Sequence, residues 1–157
     1  MHAITIRPFR VDDVAALIAL FRASVRGIDR RDYTESQVLA WAPDLIEHGQ
    51  FAHRCAMKST WVAEAQGHTA GFSDIEPDGH VDMLYVHPSI QRRGVARALL
   101  THIEKLARTR GLDRLYTEAS ITARPVFEAI GFLVVAPQEV RLRGESMTNY
   151  RMEKRLA

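Results

Sequence analysis

Apolar side chains recur along this chain with two alternating periods, and each change of period marks a predicted element. The segment "ITIRPF" near the N-terminus alternates apolar and polar residues, which predicts a first strand. Apolar residues then recur at helical spacing over 14–25, and Asp12 and Asp13 lie where carboxylates stabilise a helix N-terminus. We therefore predict a helix over about residues 12–26.

After this helix, the pattern predicts a short helix and three consecutive strands. The segment "TESQVLAWAP" predicts the helix, with Thr34 as its N-cap and Pro43 at its end, and a further irregular or helical stretch follows. The segments "TWVAEAQ" and "TAGFSDIEP" predict two strands joined by a turn around Gly67 and His68. The third strand is "GHVDMLYVHP", which ends at Pro88 because proline cannot donate to a sheet ladder.

From Gly94 onward the apolar positions change from a period of two to a period of about 3.6, which predicts a long helix. Gly111 ends this helix. The segment "LDRLYTEAS" then predicts a strand and "TARPVFEAI" a short helix. Two final strands, "FLVVAPQEVRL" and "ESMTNYRMEKRL", are joined by a turn at Gly144.

The order of these elements predicts the fold class. Strands joined by a crossover helix lie parallel in a sheet, and strands joined by hairpins lie antiparallel. We therefore predict an α/β (or α+β) fold with one mixed sheet of about six or seven strands and helices on both faces. No repeat or linker-like segment interrupts the chain, so we predict one domain over residues 1–157.

The composition narrows the class of function. Hydrophobic residues make up 46% of the chain and charged residues 25%, and the net charge of +2 is too small to indicate a nucleic-acid partner. The single cysteine, Cys55, excludes an intrachain disulfide and a clustered-thiolate metal site, and we expect no metal. No apolar run has the length of a signal-peptide core or a membrane span, so we expect a cytoplasmic protein without a membrane partner.

The start of the predicted long helix carries the most specific chemistry in the chain. A short loop follows the third strand, and "QRRGVA" then opens the helix. The first amides of a helix have no partner within it, the helix dipole favours anions there, and glycine lets a ligand approach closely. With Arg92 and Arg93 alongside, this turn predicts a phosphate or pyrophosphate site. The alternative is a helix start with a glycine for tight packing and two solvated arginines.

Two motifs resemble those of the GNAT superfamily of N-acetyltransferases. The acetyl-CoA motif of that superfamily is Gln/Arg-x-x-Gly-x-Gly/Ala after a central strand, and Gln91, Gly94 and Ala96 stand at those positions. The segment "SITARPVFEAIGF" resembles the superfamily's Asn-x-x-Ala-x-x-x-Tyr-Glu-x-x-Gly-Phe block, and the matching residues are Ala123, Glu128, Gly131 and Phe132. The motifs have the right separation and the predicted element order also fits, so the resemblance covers essentially the whole chain.

The resemblance implies that acetyl-CoA is the co-substrate and that the strand before the turn pairs with its pantetheine arm. It also implies that the amides from Arg92 to Ala96 hold the pyrophosphate, and that the arginines or Arg124 reach the 3′-phosphate. The acetyl carbonyl would meet a strand amide near Leu84. The predicted cofactor contacts are Leu84, Tyr85, Val86, Gln91, Arg92, Arg93, Gly94, Val95, Ala96, Arg97, Ser120 and Phe127.

Two residues depart from the superfamily's pattern. Ser120 stands where an asparagine usually bonds the pantetheine, and serine keeps a donor and an acceptor. Phe127 stands where many members have a tyrosine that protonates the leaving thiolate, and phenylalanine has no proton to give. A thiol with a pKa of about 8.5 is a tolerable leaving group, so the loss does not forbid catalysis. Candidate replacements for the acid are Tyr85, Tyr116 and Tyr150, each of which is equally explained as a packing aromatic.

Acetyl transfer to an amine requires a general base, because an ammonium has no lone pair. Asp82, inside an otherwise apolar strand, and Glu118, just before the second motif, are the candidate bases. His80 lies two residues from Asp82 on the same predicted strand face. Each of the three is otherwise explained as a surface polar residue or a paired structural group.

The resemblance also indicates where an acceptor would bind. Acceptors in this superfamily usually contact the helices after the first strand and the final hairpin, which here means "RRDYTESQVLAWAP" and "MTNYRMEK". The candidate acceptor contacts are Tyr33, Trp41, Asn149 and Tyr150, although aromatic residues there are as often core packing. The sequence does not identify the acceptor.

The leading hypothesis is therefore an N-acetyltransferase that moves an acetyl group from acetyl-CoA to a primary amine of a small molecule or protein, by direct attack in a ternary complex. The alternative is a non-catalytic acyl-CoA-binding sensor or regulatory protein on the same fold, which Phe127 favours. Nucleic-acid binding through the arginines at the helix start is the weakest class, because no aromatic residues interleave with them. A monomer and a homodimer both stay open.

Overall fold

Eight strands and five helices follow one another along residues 3–156, the part of the chain that the computed structural model describes. The helices are α1 Val14–Arg26, α2 Glu35–Trp41, α3 His48–Ala56, α4 Val95–Thr109 and α5 Arg124–Ala129. The strands are β1 Ile4–Pro8, β2 Ser59–Ala65, β3 His68–Ile75, β4 His80–Val81, β5 Leu84–Val86, β6 Arg114–Ser120, β7 Leu133–Leu142 and β8 Glu145–Arg155. Each predicted helix is present, as is each predicted strand except "GHVDMLYVHP", which forms two short strands, and the stretch left as irregular or helical forms α3.

The strands form two four-stranded sheets, with the orders β1-β2-β3-β5 and β4-β6-β8-β7. The first sheet is antiparallel throughout, and the second contains one parallel pair, β4 with β6. The predicted fold class, a mixed α/β arrangement, is confirmed. The division into two sheets differs from the single sheet that the pattern predicted, because the segment "GHVDMLYVHP" forms two short strands instead of one.

A buried carboxylate explains why this segment breaks. Asp74 Oδ1 accepts hydrogen bonds from the backbone amides of Asp82, at 2.8 Å, and Met83, at 3.2 Å. These two amides lie between β4 and β5, and their bonds to a side chain take the place of sheet ladder bonds. As a result β4 pairs with β6 on one side while β5 pairs with β3 on the other, and the two sheets diverge.

Asp74 holds this position at an electrostatic cost. Its side chain is fully buried, and the nearest cation, Lys58 Nζ, lies 3.6 Å from Oδ2. Burial raises the pKa of Asp74 to about 6, although Lys58 and the two amides favour the charged form. The folded state therefore binds a proton at Asp74 more readily than the unfolded chain does.

We expect this proton to make the effect of Asp74→Asn on stability depend on pH. Because the folded-state pKa of Asp74 is raised, its contribution to the stability of the wild type falls as the pH rises from about 4 to about 6. The neutral amide does not titrate, so between pH 4 and pH 7 the difference in unfolding free energy should move by about 3 kcal/mol in favour of the variant. Urea unfolding at several pH values measures this shift, with Asp44→Asn, at an exposed carboxylate, as the matched control. If the difference in unfolding free energy between the wild type and Asp74→Asn stays constant with pH, the pKa of Asp74 is not raised in the folded state.

Helices cover both faces of the first sheet, as predicted. α1 and α3 pack their apolar side chains against Val62, Phe72 and Met83 on one face. The first turns of α4 pack against Ala63 and Ala70 on the other face, and its later turns reach the core of the second sheet. α4 therefore joins the two sheets across the point where they diverge.

A glycine in β3 brings the start of α4 close to the sheet. A Cβ atom at Gly71 would lie 2.8 Å from the carbonyl oxygen of Tyr85 and 3.0 Å from a methyl group of Val95. Only glycine fits this contact without displacing β5 or the first turn of α4. The helix N-terminus is thereby fixed directly beyond the end of β5. None of the helices within residues 3–156 is both long and apolar enough to cross a bilayer.

Candidate active site

A cleft of about 590 Å³ opens where the two sheets diverge. β5 and the turn before α4 form one wall, and the end of β6 with α5 forms the other. β5 is hydrogen-bonded to β3 along one edge, and no strand of the described chain pairs with its other edge. The cleft therefore offers backbone donors and acceptors to an extended ligand, as an exposed sheet edge does.

The turn at the end of β5 presents the start of α4 to this cleft. Gly94 caps the helix with a φ of 88°, and its carbonyl accepts the first helical bond from the amide of Ala98 at 2.9 Å. The amides of the first turn consequently have no partner within the helix. A Cβ atom at Gly94 would meet no heavy atom within 4 Å, so space is open beside the backbone. Arg92 also has a positive φ, 64°, a conformation that non-glycine residues adopt at a cost and that is common at ligand sites.

The three arginines of this turn divide between two cavities. Arg92 and Arg97 line the cleft, whereas Arg93 lines a second cavity bounded by α1 and the turn between β2 and β3. The side chains of Arg92 and Arg93 are exposed, as is that of Arg97. None of the ion pairs within residues 3–156 involves any of the three. Two positive charges therefore face the cleft beside a helix N-terminus, the arrangement that binds phosphate groups.

The predicted contacts on the opposite wall also lie in the cleft. Ser120 Oγ accepts a hydrogen bond from the amide of Ala123 at 2.9 Å, and a hydroxyl that accepts can still donate its proton to a ligand. Phe127 is buried and packs edge-on against Phe132, with ring centroids 5.0 Å apart. Arg124 is engaged elsewhere, because its guanidinium lies 4.6 Å from the ring centroid of Tyr150 and pairs with Glu128. Of the predicted cofactor residues, only Arg93 does not line the cleft.

The two candidate bases both line the cleft but have different partners. Asp82 accepts hydrogen bonds from Arg54 and Lys58, two residues that the sequence pattern did not single out. Burial opposes the charged form of Asp82, but these two bonds outweigh it and hold the pKa of the carboxyl below its usual value. A carboxylate so stabilised is a weak base and serves better as a counter-ion.

Glu118 has a histidine as its partner instead. Its Oε1 lies 2.7 Å from Nε2 of His80, and the other ring nitrogen of His80 bonds Glu76. Burial lowers the pKa of His80, but the two carboxylates outweigh it, so the pKa lies above its usual value. Glu118 therefore lines the cleft and is also hydrogen-bonded, through His80, to Glu76 outside the cleft lining.

The cluster also has the residue types of a metal site. One atom each from His80, Asp82 and Glu118 lies within 4.8 Å of the other two. Both nitrogens of His80 already bond carboxylates, and Asp82 already pairs with Arg54 and Lys58, so each of the three side chains has a partner within the protein. The expectation of no metal stays a prediction.

The predicted acceptor residues separate into one that lines the cleft and three that do not. Trp41 lines it, and its indole N–H donates to the hydroxyl of Tyr85 at 3.3 Å. Tyr33 lies outside the cleft lining, where its hydroxyl donates to the carbonyl of Thr148 at 2.6 Å and accepts from the amide of Ile121 at 2.9 Å. Asn149 and Tyr150 also lie outside the cleft lining. The end of α1, with the loop after it, supplies further lining residues that the sequence did not indicate, namely Ser24, Val25 and Ile28.

The three tyrosines considered as replacements for the missing acid have other partners. The hydroxyl of Tyr85 accepts the bond from Trp41, and burial raises the pKa of this hydroxyl above its usual value. Tyr116 donates its proton to Asp78, a bond that raises the pKa of the phenol to about 12. Neither arrangement presents an acidic proton to the cleft, and Tyr150 lies beneath Arg124.

Comparisons with known proteins agree with this geometry. The family model of the acetyltransferase (GNAT) domain matches residues 29–154. An uncharacterised N-acetyltransferase of Escherichia coli K12, YafP, is 37% identical over 153 residues, which cover 97% of this chain and 96% of that protein.

Solved structures give the same result. The crystal structure of a GCN5-related N-acetyltransferase from Rhodopseudomonas palustris is 36% identical, with a TM-score of 0.94 over 99% of this chain and 98% of that one. The PaiA N-acetyltransferase of Thermoplasma acidophilum, crystallised with coenzyme A, shares the fold at 17% identity, with a TM-score of 0.80 over 98% of this chain and 99% of that one. The chain belongs to the GNAT superfamily of acetyl-CoA-dependent N-acetyltransferases.

Proposed function

We propose that this protein transfers an acetyl group from acetyl-CoA to a primary amine of a small molecule or protein, by direct attack within a ternary complex. The observation that carries the proposal is the continuity of one cleft, from the unpaired edge of β5 to the open turn at Gly94. A thioester with a long polar arm and a pyrophosphate matches such a cleft in both shape and charge. The complex of the PaiA relative with coenzyme A supports the same ligand class.

Different residues of this chain would bind different parts of acetyl-CoA. The free edge of β5 would hydrogen-bond the pantetheine arm, and the first amides of α4 with Arg92 and Arg97 would hold the pyrophosphate. Ser120 lies on the opposite wall, where its hydroxyl can donate to the same arm. A backbone amide near Leu84 would polarise the acetyl carbonyl as negative charge develops on its oxygen.

Glu118 is the favoured general base. It lines the cleft, and its partner is a titratable imidazole rather than a pair of fixed cations as at Asp82. It would take a proton from the incoming ammonium form of the amine so that the nitrogen lone pair is free to attack the acetyl carbon. The thiolate would leave without a tyrosine acid, since Phe127 has no hydroxyl and a thiol of pKa about 8.5 leaves readily.

A second candidate function is a non-catalytic acyl-CoA sensor. Phe127 favours it, because the residue fills the position of the usual acid with a buried ring. The cleft and its carboxylates would then serve ligand binding alone.

Two measurements on the wild-type protein separate these functions. Calorimetric titration with acetyl-CoA and CoA tests the site, and a panel of small amines and peptides then tests turnover through the release of free thiol. Cys55 is 1% exposed, so the protein itself should contribute little to the thiol signal. Binding with amine-dependent thiol release would support the transferase. Binding without turnover on any amine would favour the sensor, and the absence of binding would contradict both.

A further inference from the structure

We propose that His80 and Glu76 form a proton relay that carries the proton taken by Glu118 out of the cleft to solvent. This inference rests on the proposed transferase function and deepens it. The relay makes His80 and Glu76 positioning and proton-transfer residues behind the base, rather than contacts of the substrate.

The hydrogen bonds run in one unbroken line. Glu118 Oε1 lies 2.7 Å from Nε2 of His80, and Nδ1 of the same ring bonds a carboxylate oxygen of Glu76. Glu118 lines the cleft, whereas Glu76 lies in the loop between β3 and β4, outside the cleft lining. The side chain of His80 is 18% exposed, against 34% for Glu118 and 32% for Glu76. The imidazole is thus the shielded link between two carboxylates that both reach solvent.

The fold holds the three groups at these separations. The parallel pairing of β4 with β6 places His80 beside Tyr116, whose ring stacks on the imidazole with centroids 4.9 Å apart and an angle of 26°. The turn from Glu76 to His80 is closed by a backbone bond of 2.8 Å from the amide of Glu76 to the carbonyl of His80. Asp78, within that turn, accepts the amide of His80 at 3.1 Å and the hydroxyl of Tyr116. The ring is therefore fixed by partners that do not belong to the cleft.

The proton balance of the relay is complete without another reactant. An N–H bond of the protonated amine breaks and an O–H bond forms on the Glu118 carboxylate, which leaves the electron pair on nitrogen for attack. Glu118 then passes this proton to Nε2 while Nδ1 gives its own proton to Glu76, so the imidazole ends with the number of protons it began with. Glu76 releases its proton to water. The ring is left protonated at Nε2 instead of Nδ1, and proton exchange with solvent restores the first tautomer before the next turnover.

The charges around the imidazole suit this transfer. Besides Glu76 and Glu118, the carboxylates of Asp78 and Asp82 lie near the ring, the latter with an oxygen within 4.8 Å of the other cluster atoms. The opposing cations are Arg54 and Lys58, which bond Asp82, Arg114, over the ring of Tyr116 at 4.7 Å, and Arg151, which lies opposite Glu118 in the register of β8. Glu153 of β8 lies opposite Tyr116 and pairs with Arg114. Negative groups outnumber positive ones around the ring, which favours a ring that can carry an extra proton transiently.

His80→Gln tests the relay, because glutamine can keep a hydrogen bond but cannot move a proton through a ring. We expect kcat to fall about tenfold or more near neutral pH, while the Kd of acetyl-CoA and the Tm stay close to those of the wild type. In His80→Gly, where the missing ring leaves room, added imidazole should restore part of the rate in proportion to its concentration. A purely structural defect would not respond to imidazole in this way. His68→Gln, at an exposed histidine of β3, is the matched control and should keep wild-type activity.

Glu76→Gln is the second variant, and it keeps an oxygen acceptor for Nδ1. Like His80→Gln, it should lower kcat, and it should leave the KM of the amine unchanged. It also keeps the proposal testable if His80→Gln does not fold. A wild-type rate in both His80→Gln and Glu76→Gln, or a loss at position 80 that imidazole does not restore in His80→Gly, would overturn the relay alone. A wild-type protein that acetylates no amine would overturn the proposed function as well.

Discussion

Gly94→Glu is expected to weaken the binding of acetyl-CoA by at least about 100-fold in a protein that stays folded. The new carboxylate would occupy the open space beside Gly94, where the pyrophosphate is proposed to bind, and it would face the first amides of α4 together with Arg92 and Arg97. It therefore opposes the ligand both by sterics and by charge. The positive φ at Gly94 adds a strain of about 1–2 kcal/mol to any side chain there, which the Tm will report separately.

The same helix supplies the control for this variant. Gly111, just beyond the other end of α4, has a φ of 74°, and a Cβ atom there would likewise meet no heavy atom within 4 Å. Gly111→Glu therefore introduces the same charge and the same backbone strain without touching the cleft. Calorimetric titration should give a Kd near the wild-type value for Gly111→Glu and no measurable binding for Gly94→Glu. Equal losses in both variants, or normal binding in Gly94→Glu, would refute the assignment of the pyrophosphate to this turn.

Glu118→Gln is expected to lower kcat by about 10²- to 10⁴-fold near neutral pH, with the Kd of acetyl-CoA unchanged. The amide has the size of the carboxylate and can still bond His80, but it cannot accept a proton from the amine. At higher pH the deficit should narrow, because an alkyl amine with a pKa of about 10.4 deprotonates increasingly in solution and needs the base less. Measurement of kcat/KM for one amine from pH 6 to pH 10 checks both expectations.

Two further variants make this result specific. Glu153→Gln removes a carboxylate of β8 that pairs with Arg114 and lies outside the cleft lining, so it should keep wild-type kinetics. Asp82→Asn removes the partner of Arg54 and Lys58, so we expect a lower Tm and a smaller loss of kcat than in Glu118→Gln. If Asp82→Asn instead loses more activity than Glu118→Gln, with the pH dependence described above, then Asp82 is the base.

The sequence predicted the elements and the glycine turn before α4 because both depend on neighbouring residues. The period of the apolar positions located α1 and α4, and the glycine turn is a local pattern whose left-handed φ at Gly94 follows from the residue type. The division of the sheet was not predictable in the same way. It depends on Asp74 reaching the amides of Asp82 and Met83, a contact between separate strands that leaves no period in the sequence.

The choice between the candidate catalytic residues also depends on contacts that the sequence pattern does not show. Asp82 and Glu118 were equivalent in sequence, as carboxylates inside apolar strands. The structure separates them by their partners, and those partners lie in segments with little pattern of their own: Arg54 and Lys58 in and after α3, and Glu76 in a turn. The acceptor residues stay a prediction. An aromatic such as Tyr33 has the same sequence signal whether it lines a cleft or, as here, lies outside the cleft lining and bonds two backbone groups.

The unpaired edge of β5 has a consequence for how this site can vary among proteins. The proposed contacts of the pantetheine arm are main-chain N–H and C=O groups, which every residue type supplies except that proline lacks the donor. Substitutions at Leu84, Tyr85 and Val86 can therefore change the side chains without removing the hydrogen bonds that the ligand needs. A strand that binds its ligand through main-chain hydrogen bonds therefore has almost no residue pattern from which the ligand could be predicted. The identity of the site is then encoded a few residues later, at the glycine turn, where the choice of residue is restricted.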